Sequence, residues 1–188
     1  MNSITRLITI VLFFSLHITV FSQSDNVVSR YLVKKDSILR IKIGTIYPCF
    51  KVHSLSGDTI SDYSLNNKIT VINFWQQYCS PCIHEFDSLN NIFHDFKFHK
   101  DFQFLSFTCD SISDARSIVE KFSLLYPVCS ISKAECYRLN LQQGFPTTII
   151  VDRKRRISYI KSGMPSSQEK MKEAFKKYRT IISDLLYE

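Results

Sequence analysis

The spacing of apolar residues changes from a strand pattern to a helix pattern shortly after residue 75. A continuous apolar run, Ile69 to Trp75, has the length and composition of a buried strand. Beyond a short polar stretch, apolar residues return at helical spacing, at Cys82, Phe86, Leu89, Phe93 and Phe96. The pattern therefore predicts a strand that leads directly into a helix.

The chain on either side continues this alternation of strands and helices. Residues 44–65 predict a short β-hairpin, because turn residues at 56–58 separate two extended segments. Further strands are predicted at 102–107, 128–131, 147–151 and 157–160, and further helices at 115–125, 133–141 and 166–185. A strand–helix–strand passage of this length implies parallel pairing with a right-handed crossover. We expect an α/β fold with a central mixed sheet flanked by helices and preceded by an N-terminal hairpin.

The first 22 residues have the pattern of a secretory signal peptide. Arg6 is their only charged residue, the apolar run 7–20 follows it, and Ser22 lies at the expected cut with Val20 two positions earlier. The run is short for a membrane-spanning helix, although an uncleaved membrane anchor remains the alternative. We expect 1–22 as signal or anchor, 23–43 as a lead-in segment and 44–188 as one domain outside the cytoplasm.

The excess of basic residues does not indicate a nucleic-acid-binding face. The formal net charge is +7. The cations are distributed among Lys34, Lys35, the turn at 153–156 and the last helix, with no single basic surface interleaved with aromatic residues. We interpret them as solvated surface and expect no nucleic-acid partner.

The predicted strand-to-helix junction carries a Cys-x-x-Cys motif, Cys79-Ser80-Pro81-Cys82. Unpaired N–H groups and the helix macrodipole at a helix start favour a thiolate, which we assign to Cys79. Pro81 suits a first helical turn, and an offset of three residues allows the two sulfurs to form a disulfide. The same pair can be half of a zinc site or a structural disulfide, but the sequence has no second Cys-x-x-Cys or His-x-x-x-His pair. We therefore expect a redox pair, with no metal and no cofactor.

Two motifs together resemble the thioredoxin fold, and more narrowly the TlpA/ResA-like branch of extracytoplasmic thiol-disulfide oxidoreductases. The resemblance covers about residues 44–187, with the elements in the family's order. It implies a location in the bacterial periplasm, and it implies that Pro146 follows a cis peptide bond and faces the cysteine pair. The matching residues are Asn73-Phe74-Trp75, Cys79-Ser80-Pro81-Cys82, Glu85 and Gly144-Phe145-Pro146-Thr147.

The resemblance also implies roles for residues around the cysteines. Glu85 lies one turn beyond Cys82, so its side chain should return toward that sulfur and work beside the thiols. Asn73 replaces the buried acid of cytoplasmic thioredoxins, which leaves Glu85 as the candidate proton acceptor. Trp75 and Tyr78 are expected to wall the substrate site. Phe145 and Pro146 are expected to bind an extended substrate segment.

Four further cysteines have no assigned role. Cys49, Cys109, Cys129 and Cys136 can pair in three ways, and the sequence does not choose among them. Cys109 ends the second predicted strand, near the same sheet edge as Cys79, so it is either a third redox thiol or a small buried apolar residue. We favour the buried apolar residue, because free cysteines are among the most buried residues in proteins.

The predicted activity is reduction of disulfides in protein substrates by ping-pong exchange, with an upstream thiol donor that regenerates the pair. Partners are therefore proteins that carry disulfides or thiols. One alternative is a peroxiredoxin-like thiol peroxidase, which needs Thr three residues before its reactive Cys, where this chain has Gln76. Another is a Sco-like copper-binding module, which needs three residues between its cysteines, where this chain has two.

Overall fold

The computed structural model describes residues 41–165 and 167–188, and its main compact unit is Ile43–Glu188. The strands are β1 (Lys51–His53), β2 (Thr59–Ser61), β3 (Ile69–Trp75), β4 (Phe102–Thr108), β5 (Val128–Ser130), β6 (Thr147–Val151) and β7 (Ile157–Ser162). The helices of this unit are α1 (Ser80–Phe96), α2 (Ile112–Lys121), α3 (Lys133–Leu139) and α4 (Gln168–Tyr187), with a 3-10 helix at Asp62–Leu65.

The predicted N-terminal hairpin is confirmed. Strands β1 and β2 pair antiparallel, with Val52 opposite Ile60. Gly57 in the connecting turn has φ +97°, a conformation that L side chains rarely adopt.

A five-stranded mixed sheet forms the centre of the fold, with the order β5-β4-β3-β6-β7. Strand β3 pairs parallel with β4, and β4 pairs parallel with β5. Strand β6 pairs antiparallel with both β3 and β7. Every residue of β3 is buried, since this strand has a neighbour on each side and a packed layer on each face. The predicted fold class and the parallel β3–β4 pairing are confirmed.

Helices α1 and α4 pack against one face of the sheet. Cys82, Phe86, Leu89 and Ile92 of α1 are buried in the same apolar cluster as Val71 and Trp75 of β3 and Phe175 and Tyr178 of α4. On the opposite face, Phe74 stacks on Phe107, which contacts Phe50 from the segment before β1. A central strand with two covered faces places its carboxyl end, where the cysteine motif begins, on a rigid support.

The helices at 112–121, 133–139 and 168–187 all differ from their predicted bounds. Helix α2 ends at Lys121 and Ser123 adopts φ +49°, so Leu125 lies outside the helix and is 54% exposed instead of extending the apolar stripe. Helix α4 is capped by Ser167, whose side chain accepts a hydrogen bond from the backbone N–H of Lys170. Residue 166, where the predicted helix begins, lies outside the described residues.

The predicted signal peptide and nearly all of the lead-in segment also lie outside the described residues. Within residues 41–165 and 167–188, the structure contains no helix of the length and apolar character needed to cross a membrane.

Candidate functional site

A disulfide between Cys79 and Cys82 lies at the junction of β3 and α1. Cys79 is the N-cap of α1, Pro81 lies in the first turn, and the two Cα atoms are 5.2 Å apart. The backbone N–H of Cys82 donates a hydrogen bond to Cys79 Sγ at 3.3 Å. The sequence folds this way because Pro81 needs no N–H partner in the first turn and Cys79 adopts the extended backbone of an N-cap residue.

The two sulfurs differ in access to solvent. Cys79 is partly exposed, whereas Cys82 is completely buried within the apolar cluster of α1. The first turn of α1 has no acidic side chain, so no carboxylate there opposes the positive end of the helix dipole at Cys79. This arrangement suits an attacking thiolate at Cys79 and a shielded second thiol at Cys82.

Glu85 is buried beneath the disulfide, with an exposed fraction of 1%. Its Oε1 accepts a 2.7 Å hydrogen bond from Asn73 Nδ2 on β3. Burial raises the pKa of Glu85 from 4.5 to about 8, and the hydrogen bond from Asn73 partly opposes that shift. A carboxyl group with such a pKa can exchange a proton near neutral pH.

Two buried tyrosines lie within electrostatic range of this carboxyl group. The pKa values of Tyr126 and Tyr178 are raised well above 10, mainly by burial and further by the charge of Glu85. Among residues 41–165 and 167–188, no cationic group contributes to the pKa shift of Glu85. The environment therefore strongly disfavours the ionised form of Glu85.

The expectation that Trp75 walls the substrate site requires correction. Its side chain is 0% exposed, its Nε1 donates a 2.7 Å hydrogen bond to Ser106 Oγ, and its ring packs edge-on against Phe86. Trp75 points into the core because the face of β3 that carries it is covered by α1. Trp75 is part of the core next to the site, and its side chain has no exposed surface that a substrate could contact.

Tyr78, by contrast, is 92% exposed immediately before the disulfide. An exposed aromatic ring at this place is available to a protein partner. The structure therefore separates the two predicted wall residues, with one in the core and one on the surface.

The Phe145–Pro146 peptide bond is cis, as the resemblance implies. The carbonyl group of Pro146 accepts a hydrogen bond from the N–H of Gly163, and the Phe145 ring packs edge-on against Tyr137. Phe145 is partly buried against the same apolar cluster as Cys79 and Cys82. Its backbone N–H and C=O make no hydrogen bond with any described residue.

A groove of about 510 Å³ adjoins the start of α1. One side is formed by the first turn and a half of the helix, and the other by the loop before α4 and the start of that helix. The lining residues are Ser80, Pro81, His84, Met164, Pro165, Gln168 and Met171. The groove is mainly apolar and is located next to the disulfide.

The loop between β3 and the disulfide is attached to the end of β4, and the sequence analysis missed this contact. Gln76 Nε2 donates to Cys109 Sγ at 2.8 Å, and the backbone N–H of Gln77 donates to Asp110 Oδ2 at 2.7 Å. Strands β3 and β4 end together, with Trp75 opposite Thr108. The parallel pairing was predictable, but the register that places Gln76 beside Cys109 was not.

The remaining cysteines are free thiols with different surroundings. Cys49 is exposed, Cys109 is partly exposed, and Cys129 and Cys136 are buried. Burial raises the pKa of Cys129 to about 12. Among the residues the structure describes, no three or more His, Cys, Asp or Glu side chains form a group that could hold a metal ion.

The strand order, the helix layers and a disulfide at the start of the first long helix define a thioredoxin-like protein. The AhpC/TSA family matches residues 43–160, which is more than half of the chain, and the chain belongs to that family. The thiol-disulfide oxidoreductase ResA of Bacillus thuringiensis is 24% identical over 148 residues, covering 78% of this chain and 83% of that protein.

Two further comparisons agree with this fold. The thioredoxin-like protein YneN of Bacillus subtilis is 26% identical, covering 69% of this chain and 76% of that protein. The crystal structure of a thiol:disulfide interchange protein of the thioredoxin family from Chlorobium tepidum superposes with a TM-score of 0.62 at 21% identity. It covers 76% of this chain and 97% of that one.

Proposed function

We propose that this protein is a thiol-disulfide oxidoreductase that reduces disulfides in protein substrates outside the cytoplasm. The observation that carries the proposal is the Cys79–Cys82 disulfide at the start of α1, with one sulfur partly exposed and the other buried. Relatives named thiol-disulfide oxidoreductases, matched over most of their length, support the same reaction class.

The reaction begins with the pair reduced. The Cys79 thiolate attacks one sulfur of a substrate disulfide, and the other substrate sulfur leaves as a thiolate. Cys82 then attacks Cys79 Sγ, the second substrate sulfur leaves, and the enzyme ends with the Cys79–Cys82 disulfide. An upstream thiol donor returns the two electrons.

The second attack requires removal of the Cys82 proton in a buried place. Burial disfavours a thiolate at Cys82, so a nearby base is needed as the sulfur attacks. Glu85 lies one helical turn away, and its pKa of about 8 leaves a minority of ionised carboxylate at neutral pH, which increases as the pH rises. We assign to Glu85 the role of general base in this step.

The substrate segment binds along the exposed side of the disulfide. The unpaired backbone of Phe145 can bond to an extended peptide, as an edge strand does. Tyr78 provides exposed aromatic surface. Pro146, buried after a cis peptide bond, is assigned the place beside the cysteines that the resemblance implies. The apolar groove at the start of α1 provides further contact area for substrate side chains.

The location outside the cytoplasm is supported by the signal-like pattern of residues 1–22, with residues 44–188 as the folded domain. The protein is either released or tethered to the membrane by that N-terminal segment. A disulfide-reducing enzyme needs a thiol donor in such an oxidising compartment.

Reduction of insulin in the presence of dithiothreitol tests the proposal. Wild-type protein should accelerate precipitation of the insulin chains, and the Cys79→Ser, Cys82→Ser double variant should be inactive. Cys49→Ser is the matched control, because Cys49 is an exposed thiol before β1 and should leave the rate unchanged. Equal activity of the double variant and wild type would exclude the proposal, and peroxide consumption or copper binding in its place would support an alternative.

A further inference from the structure

Cys109 lies beside the loop that joins β3 to Cys79, at the same sheet edge as the Cys79–Cys82 disulfide. It directly follows β4, and because Trp75 pairs with Thr108, the next residues, Gln76 and Cys109, are neighbours. The side-chain amide of Gln76 donates to Cys109 Sγ at 2.8 Å. Cys109 is therefore attached by one hydrogen bond to a residue three positions before Cys79.

The structure brings a second thiol, Cys136, to Cys109. Thr108 pairs with Ser130 of β5, and the N–H of Ile131 donates to the carbonyl group of Thr108, so the chain enters α3 next to the end of β4. Helix α3 begins directly after its N-cap, Ser132. Cys136 lies at the end of the first turn of this helix and is completely buried. The hydroxyl of Ser130 donates to the carbonyl group of Asp110 at 2.6 Å, so the residue after Cys109 is fixed to the end of β5. Cys136 lies close enough to Cys109 for the two side chains to interact electrostatically.

The two thiols divide exposure in the same way as the catalytic pair. Cys109 is partly exposed, and the Gln76 amide can stabilise its sulfur as charge develops during exchange. Cys136 is fully buried, and its pKa is raised by burial and by the neighbouring Cys109. An accessible first thiol and a shielded second thiol are the two components that disulfide formation by exchange requires.

We propose that Cys109 and Cys136 are a second redox site, a dithiol that a low-molecular-weight disulfide such as oxidised glutathione converts into a disulfide. Cys109 attacks one sulfur of glutathione disulfide and releases one glutathione thiolate. Cys136 attacks Cys109 Sγ and releases the second. Two cysteine thiols are oxidised, one glutathione disulfide is reduced to two glutathiones, and the two thiol protons pass to the released thiolates.

Thiol mapping in the Cys79→Ser, Cys82→Ser variant tests this site without any contribution from the catalytic pair. The folded variant is incubated with oxidised glutathione, alkylated, digested and analysed by mass spectrometry. The peptides that contain Cys109 and Cys136 should become linked, while Cys49 and Cys129 gain no link to either. Removal of Cys136 by a further Cys136→Ser change should stop the reaction at a lasting glutathione adduct on Cys109.

Cys129→Ser provides the matched control, because Cys129 is also a buried cysteine but belongs to β5, and its loss should leave the link intact. A Cys109 thiol that remains free, a lasting adduct despite the presence of Cys136, or a link from Cys109 to Cys49 would each overturn the proposal. Circular dichroism identifies any variant that fails to fold, and the same peptide mapping on wild-type protein then decides the outcome. Failure of this site would not affect insulin reduction by the Cys79–Cys82 pair.

Discussion

The amide of Asn73 donates a 2.7 Å hydrogen bond to the carboxyl group of Glu85, and this bond connects the buried end of β3 to α1 beneath the disulfide. A second hydrogen bond joins the same amide to Thr148 Oγ1 on β6 at 3.2 Å. Asn73 cannot titrate, so it can orient Glu85 without competing with it for a proton. The titrating group of this buried network is Glu85.

Replacement of Glu85 by Gln should change the pH dependence of stability. The folded pKa of about 8 exceeds the ordinary value of 4.5, so the folded state binds the proton more tightly than the unfolded state. Wild-type stability should therefore fall as the pH rises from about 5 to about 8, and the lost stability should amount to a few kcal/mol at ~1.4 kcal/mol per pKa unit. Glu85→Gln should remove this loss. Urea unfolding of the oxidised proteins across this pH range provides the measurement.

Asp87→Asn is the control for that experiment, since Asp87 is exposed on the same helix. It should leave the slope of stability against pH as in wild type. A constant difference in unfolding free energy between Glu85→Gln and wild type at every pH would contradict an elevated pKa.

The same variant should also slow the second step of the reaction. Attack of Cys82 on the mixed disulfide needs a proton acceptor, whereas the first attack by Cys79 does not use Glu85. Stopped-flow kinetics should therefore show a normal first phase, a slower release of the mixed disulfide, and loss of the rate increase with pH toward about 8. An unchanged release rate and pH profile would mean that Glu85 only fills the space beneath the disulfide.

The strand-to-helix junction was predictable because the apolar spacing changes on either side of Cys79. Contacts between distant segments were not predictable, since they depend on strand order and register. Cys109 and Cys136 belong to segments that come together because β4 and β5 are parallel neighbours and α3 starts just after β5. The pairing of these cysteines could not be predicted from the sequence for that reason.

Trp75 illustrates a second limit of sequence patterns. An alternating strand shows which residues face the core, but β3 is buried over its full length and shows no alternation. The resemblance implied a role at the substrate surface for Trp75, whereas the packing of α1 places its side chain in the core. The cis bond before Pro146 was expected only from the resemblance, since residue spacing does not encode it.

Trp75→Ala should destabilise the protein by about 3–5 kcal/mol, because the side chain is fully buried and its loss leaves a cavity. Trp75→Phe should destabilise the protein less than Trp75→Ala, because it keeps an aromatic ring against Phe86. It should still be less stable than wild type, because it loses the hydrogen bond to Ser106. Urea unfolding followed by circular dichroism measures both. A weaker affinity for substrate at unchanged stability would restore the surface role for Trp75.

Tyr78→Ala should have the opposite profile. The ring is 92% exposed, so the unfolding free energy should change by no more than about 0.5 kcal/mol. The KM for insulin should rise several-fold, while the KM for a small disulfide should stay constant. Tyr63→Ala, at another exposed tyrosine just before the start of β3 and therefore away from the end that carries the disulfide, serves as the control and should change neither KM. Equal KM values for insulin in Tyr78→Ala and wild type would remove Tyr78 from the substrate surface.

Trapping of the mixed disulfide is the most direct test of whether Cys79 attacks the substrate and Cys82 resolves the intermediate. Each single Cys→Ser variant is incubated with a disulfide-bearing protein, quenched with acid, and analysed by non-reducing electrophoresis and peptide mapping. Cys82→Ser should accumulate a mixed disulfide through Cys79, because the resolving thiol is absent, and Cys79→Ser should accumulate none. Accumulation of adducts on Cys79→Ser through Cys82, or on neither variant, would contradict the assigned roles.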